Sequence, residues 1–296
     1  MLAEDMFGLA LTPATATTQD LCAAMLSDLW GCECDLYLAT IGGGAVGAAA
    51  IGWRMSGTPP AMPIHLHVMP AFRRRGIARA LLCEIEVMAA GEADALTSFS
   101  MVDEASEAAL FALSSGFAAS RRVHSFRMGP EAIVPRLRAL ALRTEQRSHA
   151  RPLRVVRLAD APLDTIALDV ARTFGGLQPE LLAMLQGANA GSTPVDLLNS
   201  VAVLDGDRVA GALALIWKDG QPEVELDYVH PDYRGTSVHL RLLLAAFENG
   251  MAAGATSVTF RADEDVRDTL NIAKRGGAIA TRTQVRLWRS MSGRGG

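Results

Sequence analysis

Residues 68–82 read Val68-Met69-Pro70-Ala71-Phe72-Arg73-Arg74-Arg75-Gly76-Ile77-Ala78-Arg79-Ala80-Leu81-Leu82. Just upstream, residues 64–68 form an apolar run in which Ile64, Leu66 and Val68 alternate with His65 and His67, the period of a strand. Downstream, Leu81, Leu82, Ile85 and Met88 recur at helical spacing until Gly91, a helix stop. The short basic turn between them therefore opens a helix, whose first N–H groups have no intrahelical acceptor. Those donors and the positive end of the helix dipole attract an anion such as a phosphate. Gly76 and Ala78 carry little or no side chain, so a diphosphate can approach the backbone closely. Arg73, Arg74, Arg75 and Arg79 add fixed positive charge around the opening.

The run Arg73-Arg74-Arg75-Gly76-Ile77-Ala78 resembles the cofactor loop of the GNAT acyltransferases, Gln/Arg-x-x-Gly-x-Gly/Ala. The lead-in Leu66-x-Val68-x-Pro70 is similar to that family's fourth strand. The resemblance implies that Leu66, Val68, Arg73, Arg74, Arg75, Gly76, Ile77, Ala78, Arg79 and, further on, Ser106 bind acetyl-CoA as cosubstrate. It also implies an α/β (α+β) fold of two consecutive GNAT-like domains, each a mixed, mostly antiparallel twisted sheet flanked by helices.

The chain has 296 residues, enough for two average domains, and half of it is hydrophobic, enough for sizeable cores. A net charge of −4 gives no global reason to expect nucleic acid or a membrane surface as partner. The cysteines Cys22, Cys32, Cys34 and Cys83 are few, and Cys32-Glu33-Cys34 is spaced too tightly for a paired zinc knuckle. No metal is expected, and free thiols suit a cytoplasmic protein. No stretch has the apolar length of a membrane helix, and the first residues, with Glu4 and Asp5, show no basic leader.

Along residues 1–130 the pattern reads strand (6–11), helix (from Thr17-Thr18-Gln19-Asp20), a strand hairpin (36–40 and 45–55), strand (64–68), helix (77–90), strand (96–102), helix (103–114) and strand (121–128). The hairpin contains a decoy. Gly42-Gly43-Gly44-Ala45-Val46-Gly47 matches the dinucleotide fingerprint Gly-x-Gly-x-x-Gly, but Gly52 and Gly57-Thr58-Pro59-Pro60 leave no room for the helix that fingerprint needs. The ending Ser106…Gly116-Phe117 resembles the family's last helix and its exit. It departs twice: Ser106 stands near a position where the family often has Asn, and Phe111, Ala112 and Leu113 stand where it often has a Tyr that protonates the leaving thiolate. Residues 131–150 read as a linker helix, rich in Leu, Ala and the arginines Arg136, Arg138, Arg143 and Arg147.

Residues 151–296 repeat the order of elements. Strand 153–158 and helices 164–174 and 179–186 are followed by a hairpin at Asp205-Gly206-Asp207, strand 223–229, helix 236–253, strand 257–261, helix 267–275 and strand 281–288. Val229-His230-Pro231-Asp232-Tyr233-Arg234-Gly235 also resembles the family's lead-in, but Ser237 and His239 stand where the first half has Gly76 and Ala78. A Cβ and an imidazole crowd a diphosphate there, so this loop reads as degenerate.

In the resembled family an amine attacks the thioester directly, and a backbone N–H of strand four stabilises the charge that develops on the carbonyl oxygen. By position that donor lies near Leu66–Val68. A base must also remove an amine proton. Met62, Pro63 and Ile64 occupy the places where the family often has a carboxylate, which leaves His65 and His67 as the nearest titratable groups. The second half has the opposite inventory: Glu223, Glu225 and Asp227 share one strand face by alternation, with Val224, Leu226 and Tyr228 on the other. Glu225, Asp227, Arg234 and Gly235 are its candidate site residues. The reading is an acyl-CoA-dependent N-acetyltransferase acting on a small-molecule or peptide amine. A non-catalytic CoA-binding module and an active second half stay open, as do the acceptor and homo-oligomer formation through strand edges.

Overall fold

The computed structural model describes residues 8–26, 34–52, 60–147, 153–174, 177–188 and 193–291. Glu4, Asp5, Cys32, Gly57, Thr58, Pro59 and the side chain of Arg147 lie outside them. In chain order the strands are β1 (Leu9–Pro13), β2 (Cys34–Ile41), β3 (Gly44–Gly52), β4 (Ala61–Val68), β5 (Ala95–Ser98), β6 (Val102–Asp103), β7 (Ala118–Met128), β8 (Arg154–Arg157), β9 (Val201–Asp205), β10 (Arg208–Lys218), β11 (Gln221–Val229), β12 (Val258–Asp263) and β13 (Ile279–Ser290). The helices are α1 (Gln19–Met25), α2 (Ile77–Ala89), α3 (Glu107–Ser114), α4 (Pro130–Arg147), α5 (Leu163–Phe174), α6 (Gln178–Leu185), α7 (Val238–Ala252) and α8 (Arg267–Gly276).

These elements form two compact units, Met1–Arg122 with Thr283–Gly296, and Val123–Arg282. Sequence patterning places a connecting segment at 131–150. The division by contact runs through two strands, β7 and β13, and α4 falls inside the second unit.

In the first unit, β1 to β4 pair antiparallel in sequence order and β5 joins β4 in parallel. The end of β13 completes this sheet, with Trp288 opposite Thr97 and Val285 opposite Val102. Helix α2 covers one face because Ile77, Leu81, Leu82 and Ile85 form a single apolar stripe. Leu82 and Ile85 meet Ile51, Met62 and Ile64 of the sheet and Val285 and Leu287 of β13, while Ile77 and Leu81 pack with Leu9, Ala39 and Val46. Helix α1 covers the other face through Cys22, against Leu38, Ala48 and Ala50.

The glycine-rich run at 42–47 is a hairpin. Gly42 and Gly43, at φ 57° and 79°, close β2 onto β3 as a two-residue turn with both residues left-handed. Gly47 serves a different need. A Cβ there would lie 2.3 Å from the His67 carbonyl oxygen, so only glycine lets β3 and β4 pair this closely.

In the second unit, β8 to β11 pair antiparallel in order, β12 joins β11 in parallel, and β7 pairs antiparallel with β12. Helices α7 and α4 share one core with Val224 and Phe260. Helix α5 packs on the opposite face against Leu226 and Tyr228. The units repeat in detail. The Met69 N–H donates to the Val46 carbonyl at 2.9 Å and the His230 N–H to the Ala210 carbonyl at 3.0 Å, each at a bulge one residue before a glycine. Gly47 faces Val68 as Gly211 faces Val229.

One sequence expectation is corrected. Glu223, Glu225 and Asp227 do not share a face. The β10–β11 register shifts so that Leu215 opposes Val224 while Ala214 opposes Leu226, leaving Glu225 as an inserted residue. The bulge reverses the alternation beyond it. Val224 accordingly packs with α7, and Leu226 and Tyr228 pack with α5. Two other elements shift: the apolar run 96–102 divides into β5 and β6, and the following helix begins only at Glu107, behind the N-cap Ser106.

Candidate functional site

Strands β4 and β5 pair from Ala61↔Ala95 to Ile64↔Ser98 and then part. The last bond between the two segments runs from the Phe99 N–H to the Ile64 carbonyl at 3.2 Å. Backbone groups alternate sides along a strand, so Leu66 and Val68 face the opening as Ile64 does, while His65 and His67 turn their backbone toward β3. The opening thus presents a strand edge that no neighbouring strand uses among the described residues. The side chains of His65 and His67 are half-buried on the face away from α2, flanking Leu66.

The loop after β4 begins as a 3-10 turn, Pro70–Phe72, closed by the Arg73 N–H on the Pro70 carbonyl at 3.3 Å. Arg74 then takes φ 63° and Gly76 φ 83°. Two left-handed residues two apart swing the chain outward before α2 starts. Arg79 and Ala80 return their N–H groups to the Gly76 carbonyl, at 3.0 and 3.1 Å. Among the described residues, none accepts a hydrogen bond from the amides of residues 74–78, and no side chain caps α2. Residues 73–76 are exposed. These amides are available at a helix N-terminus, where a diphosphate binds well. The residues present therefore fit a diphosphate, the group that an acyl-CoA would bring to this loop.

The arginines around this nest differ from one another. The Arg75 guanidinium lies 5.5 Å from the centre of the Phe72 ring, a stack that orients it. Arg74, Arg75 and Arg79 have no carboxylate partner among the described residues. Arg73 does: its Nε donates to the Val68 carbonyl at 3.1 Å, and its Nη1 lies 3.9 Å from a Glu107 carboxylate oxygen. Ser106 caps α3. Its Oγ accepts from the Ala109 N–H at 3.2 Å and donates to the Asp103 carbonyl at 2.6 Å, so that hydroxyl already serves the helix.

The second unit's loop has the same start and a different end. Arg234 donates its N–H to Pro231 at 3.3 Å, and Gly235, at φ 76°, takes the left-handed place of Arg74. Ser237, where Gly76 stands, is right-handed at φ −74°. The Thr236 N–H bonds the Tyr233 carbonyl at 3.2 Å, and the Val238 N–H is capped by the Thr236 hydroxyl at 3.3 Å. The His239 imidazole, in the place of Ala78, lies 2.8 Å from the Asp227 carboxylate. Arg208 pairs with Asp232 at 2.5 Å and stacks on Tyr233, whose hydroxyl donates to Asp205 at 2.8 Å. The hydrogen bond from Arg208 holds the Asp232 carboxyl below the usual carboxylate range.

The carboxylates of β11 are engaged as well. Lys218 sits 3.1 Å from Glu223 and Arg261 3.1 Å from Glu225. Sequence reading named Asp227 and His239 separately; only the fold brings them together. The signal was available in the rule that a half-buried imidazole at a helix start needs an acceptor. No group of three or more His, Cys, Asp or Glu capable of holding a metal occurs among the described residues, and Cys22, Cys34 and Cys83 form no disulfide. Two cavities of about 420 and 650 Å³ lie away from the loop, by Asp35 and Tyr37; the larger also touches Met88 and Glu92, at the far end of α2. No helix among the described residues is long and apolar enough to cross a membrane.

No protein-family model matches the chain, and no curated protein matches it. Solved structures do. A GCN5-related N-acetyltransferase from Sphaerobacter thermophilus superposes at TM-score 0.56, with 13% identity over 96% of each chain. A tandem GNAT protein from the clavulanic acid biosynthesis pathway superposes at 0.55, with 16% identity over 96% of this chain and 99% of its own. A GCN5-related N-acetyltransferase from Anabaena variabilis superposes at 0.58, with 13% identity over 96% and 73%. At these identities the likeness establishes the fold: this chain has the GNAT fold, and the fold of a tandem member spans nearly all of it.

Proposed function

We propose that the first unit transfers an acetyl group from acetyl-CoA to an amine. The observation that carries this reading is the row of amides at residues 74–78 that find no acceptor among the described residues, reached through the exposed segment 73–76 and set beside the open edge of β4. Bound acetyl-CoA would supply the activated thioester. The loop amides would hold its diphosphate, with Arg74, Arg75 and Arg79 screening the charge. The Leu66 and Val68 N–H groups face the opening, and either would donate to the thioester oxygen as it gains charge. His65 and His67 flank Leu66 and are the groups that would take the amine proton.

The second unit serves a supporting role in this proposal. Its loop spends the Thr236 and Val238 amides internally and sets His239 against Asp227, so it offers a diphosphate little. A second reading, a CoA-binding module without turnover, is favoured by one feature: α3 offers Phe111, Ala112 and Leu113 and no phenol to protonate a leaving thiolate.

Titration calorimetry with CoA, followed by free-thiol release from acetyl-CoA across a panel of amines, tests both. One CoA per chain and turnover abolished by Gly76→Trp support transfer. Binding without turnover supports the second reading, and no binding removes both.

A further inference from the structure

Arg73 is placed differently from its neighbours. It leaves the loop backward, toward the end of β4, and its guanidinium then reaches the first turn of α3. Those two elements are the walls of the opening. Strand β4 forms one, and the chain that parts from it after Ser98 returns through β6 into α3 to form the other. The Val68 carbonyl that receives the Arg73 Nε faces the opening, on the strand edge left without a partner. With Nε on Val68 at 3.1 Å and Nη1 at 3.9 Å from Glu107, the side chain spans the mouth from wall to wall. A guanidinium is suited to this because its planar fork donates in two directions at once; an ammonium on a flexible stem is not.

We infer that Arg73 is a strap across the cleft, a positioning residue that retains the extended arm of the acyl carrier rather than neutralising its phosphates. This rests on the acetyl-CoA reading above. Entry of the carrier requires the Glu107 end to lift. That contact is long and exposed, with Glu107 74% and Arg73 47% accessible, so it opens cheaply. Once the arm lies along the β4 edge, the strap closes behind it.

The test compares two probes, CoA and 3′-phospho-ADP, which keeps the whole diphosphate. The second carries phosphate but no pantetheine arm. In the strap model Arg73→Ala weakens CoA roughly three- to tenfold and leaves 3′-phospho-ADP within twofold. Arg73→Lys keeps the charge but does not restore CoA, and CoA dissociation in stopped flow speeds up by the same factor. Glu107→Gln, a change at an exposed position that does not threaten folding, reproduces part of the faster dissociation. Parallel loss of both probes in Arg73→Ala, with rescue by Lys, would overturn the inference and make Arg73 a phosphate contact. If the unaltered protein binds CoA no better than 3′-phospho-ADP, the strap has no arm to retain and the inference also fails. Failure of the unaltered protein to bind either probe would instead remove the underlying reading.

Discussion

Gly76→Ala is the most direct probe of the loop. Gly76 sits at φ 83°, where a Cβ crowds the following carbonyl at a cost of about 1–2 kcal/mol. That cost has two outlets. If the left-handed turn survives, the free protein loses about 1–2 kcal/mol, roughly 3–10 °C in the melting of a unit this size. If the turn relaxes, stability is kept and the amides re-aim. The second unit shows the relaxed form: Ser237, in the same place, is right-handed at φ −74°. Because no side chain caps the start of α2, relaxation is the expected outlet, and CoA affinity falls about five- to thirtyfold. Calorimetric titration reads the affinity, and circular dichroism at 222 nm reads the melting. A variant that melts within 1 °C of the parent and binds CoA within twofold would refute the claim that left-handed geometry at this residue aims the donors.

Two further outcomes follow from features away from the loop. Arg289 on β13 pairs with Glu86 of α2, donates to the Ser115 carbonyl at 2.7 Å and lies 5.2 Å from the Phe117 ring centre, with only 15% and 11% of the two charged side chains exposed. Arg289→Met removes a close charged partner of the mostly buried Glu86 carboxylate and should cost about 3–5 kcal/mol, whereas Arg289→Met with Glu86→Leu should recover at least half; a double-mutant cycle by urea denaturation decides, and strict additivity would exclude the coupling. In the second unit, burial pushes the Asp196 carboxyl up, but hydrogen bonds from Asn199, the Trp217 indole and the backbone N–H groups of Asn199 and Leu198 outweigh it, for a net lowering. A depressed folded pKa contributes stability that is present above the ordinary aspartate value and is lost as pH falls below it. Unfolding followed by tryptophan fluorescence should therefore show a loss below about pH 4 that Asp196→Asn removes, and an unchanged acid profile in that variant would count against it.

Much of this was legible in local signals. Alternation and turn chemistry give the Gly42–Gly43 and Gly206 hairpins, and the basic run before Gly76 marks a helix start with spare donors. What escaped were features set by contacts between distant residues. A period-two reading of β11 cannot register an inserted residue, so Glu225 and all that follows it were assigned to the wrong faces. The strand at the end of the chain reads as the closing strand of its own half, because nothing in Val285 or Leu287 says which core they enter. The Arg73 side chain reads as one more positive charge until its two partners are seen.

The division of β13 sets an order of events during synthesis. The second unit, residues 123–282, is contiguous and can complete itself as it leaves the ribosome. The first cannot, because Val285 and Leu287 of its core are translated roughly 160 residues after Arg122. At ordinary elongation rates this leaves the β5 edge waiting for about 10–30 s with its eventual partner unmade. A nascent chain with an open strand edge is a target for holdase chaperones and for edge-to-edge aggregation, so slow codons between the two segments should lower the yield of folded protein.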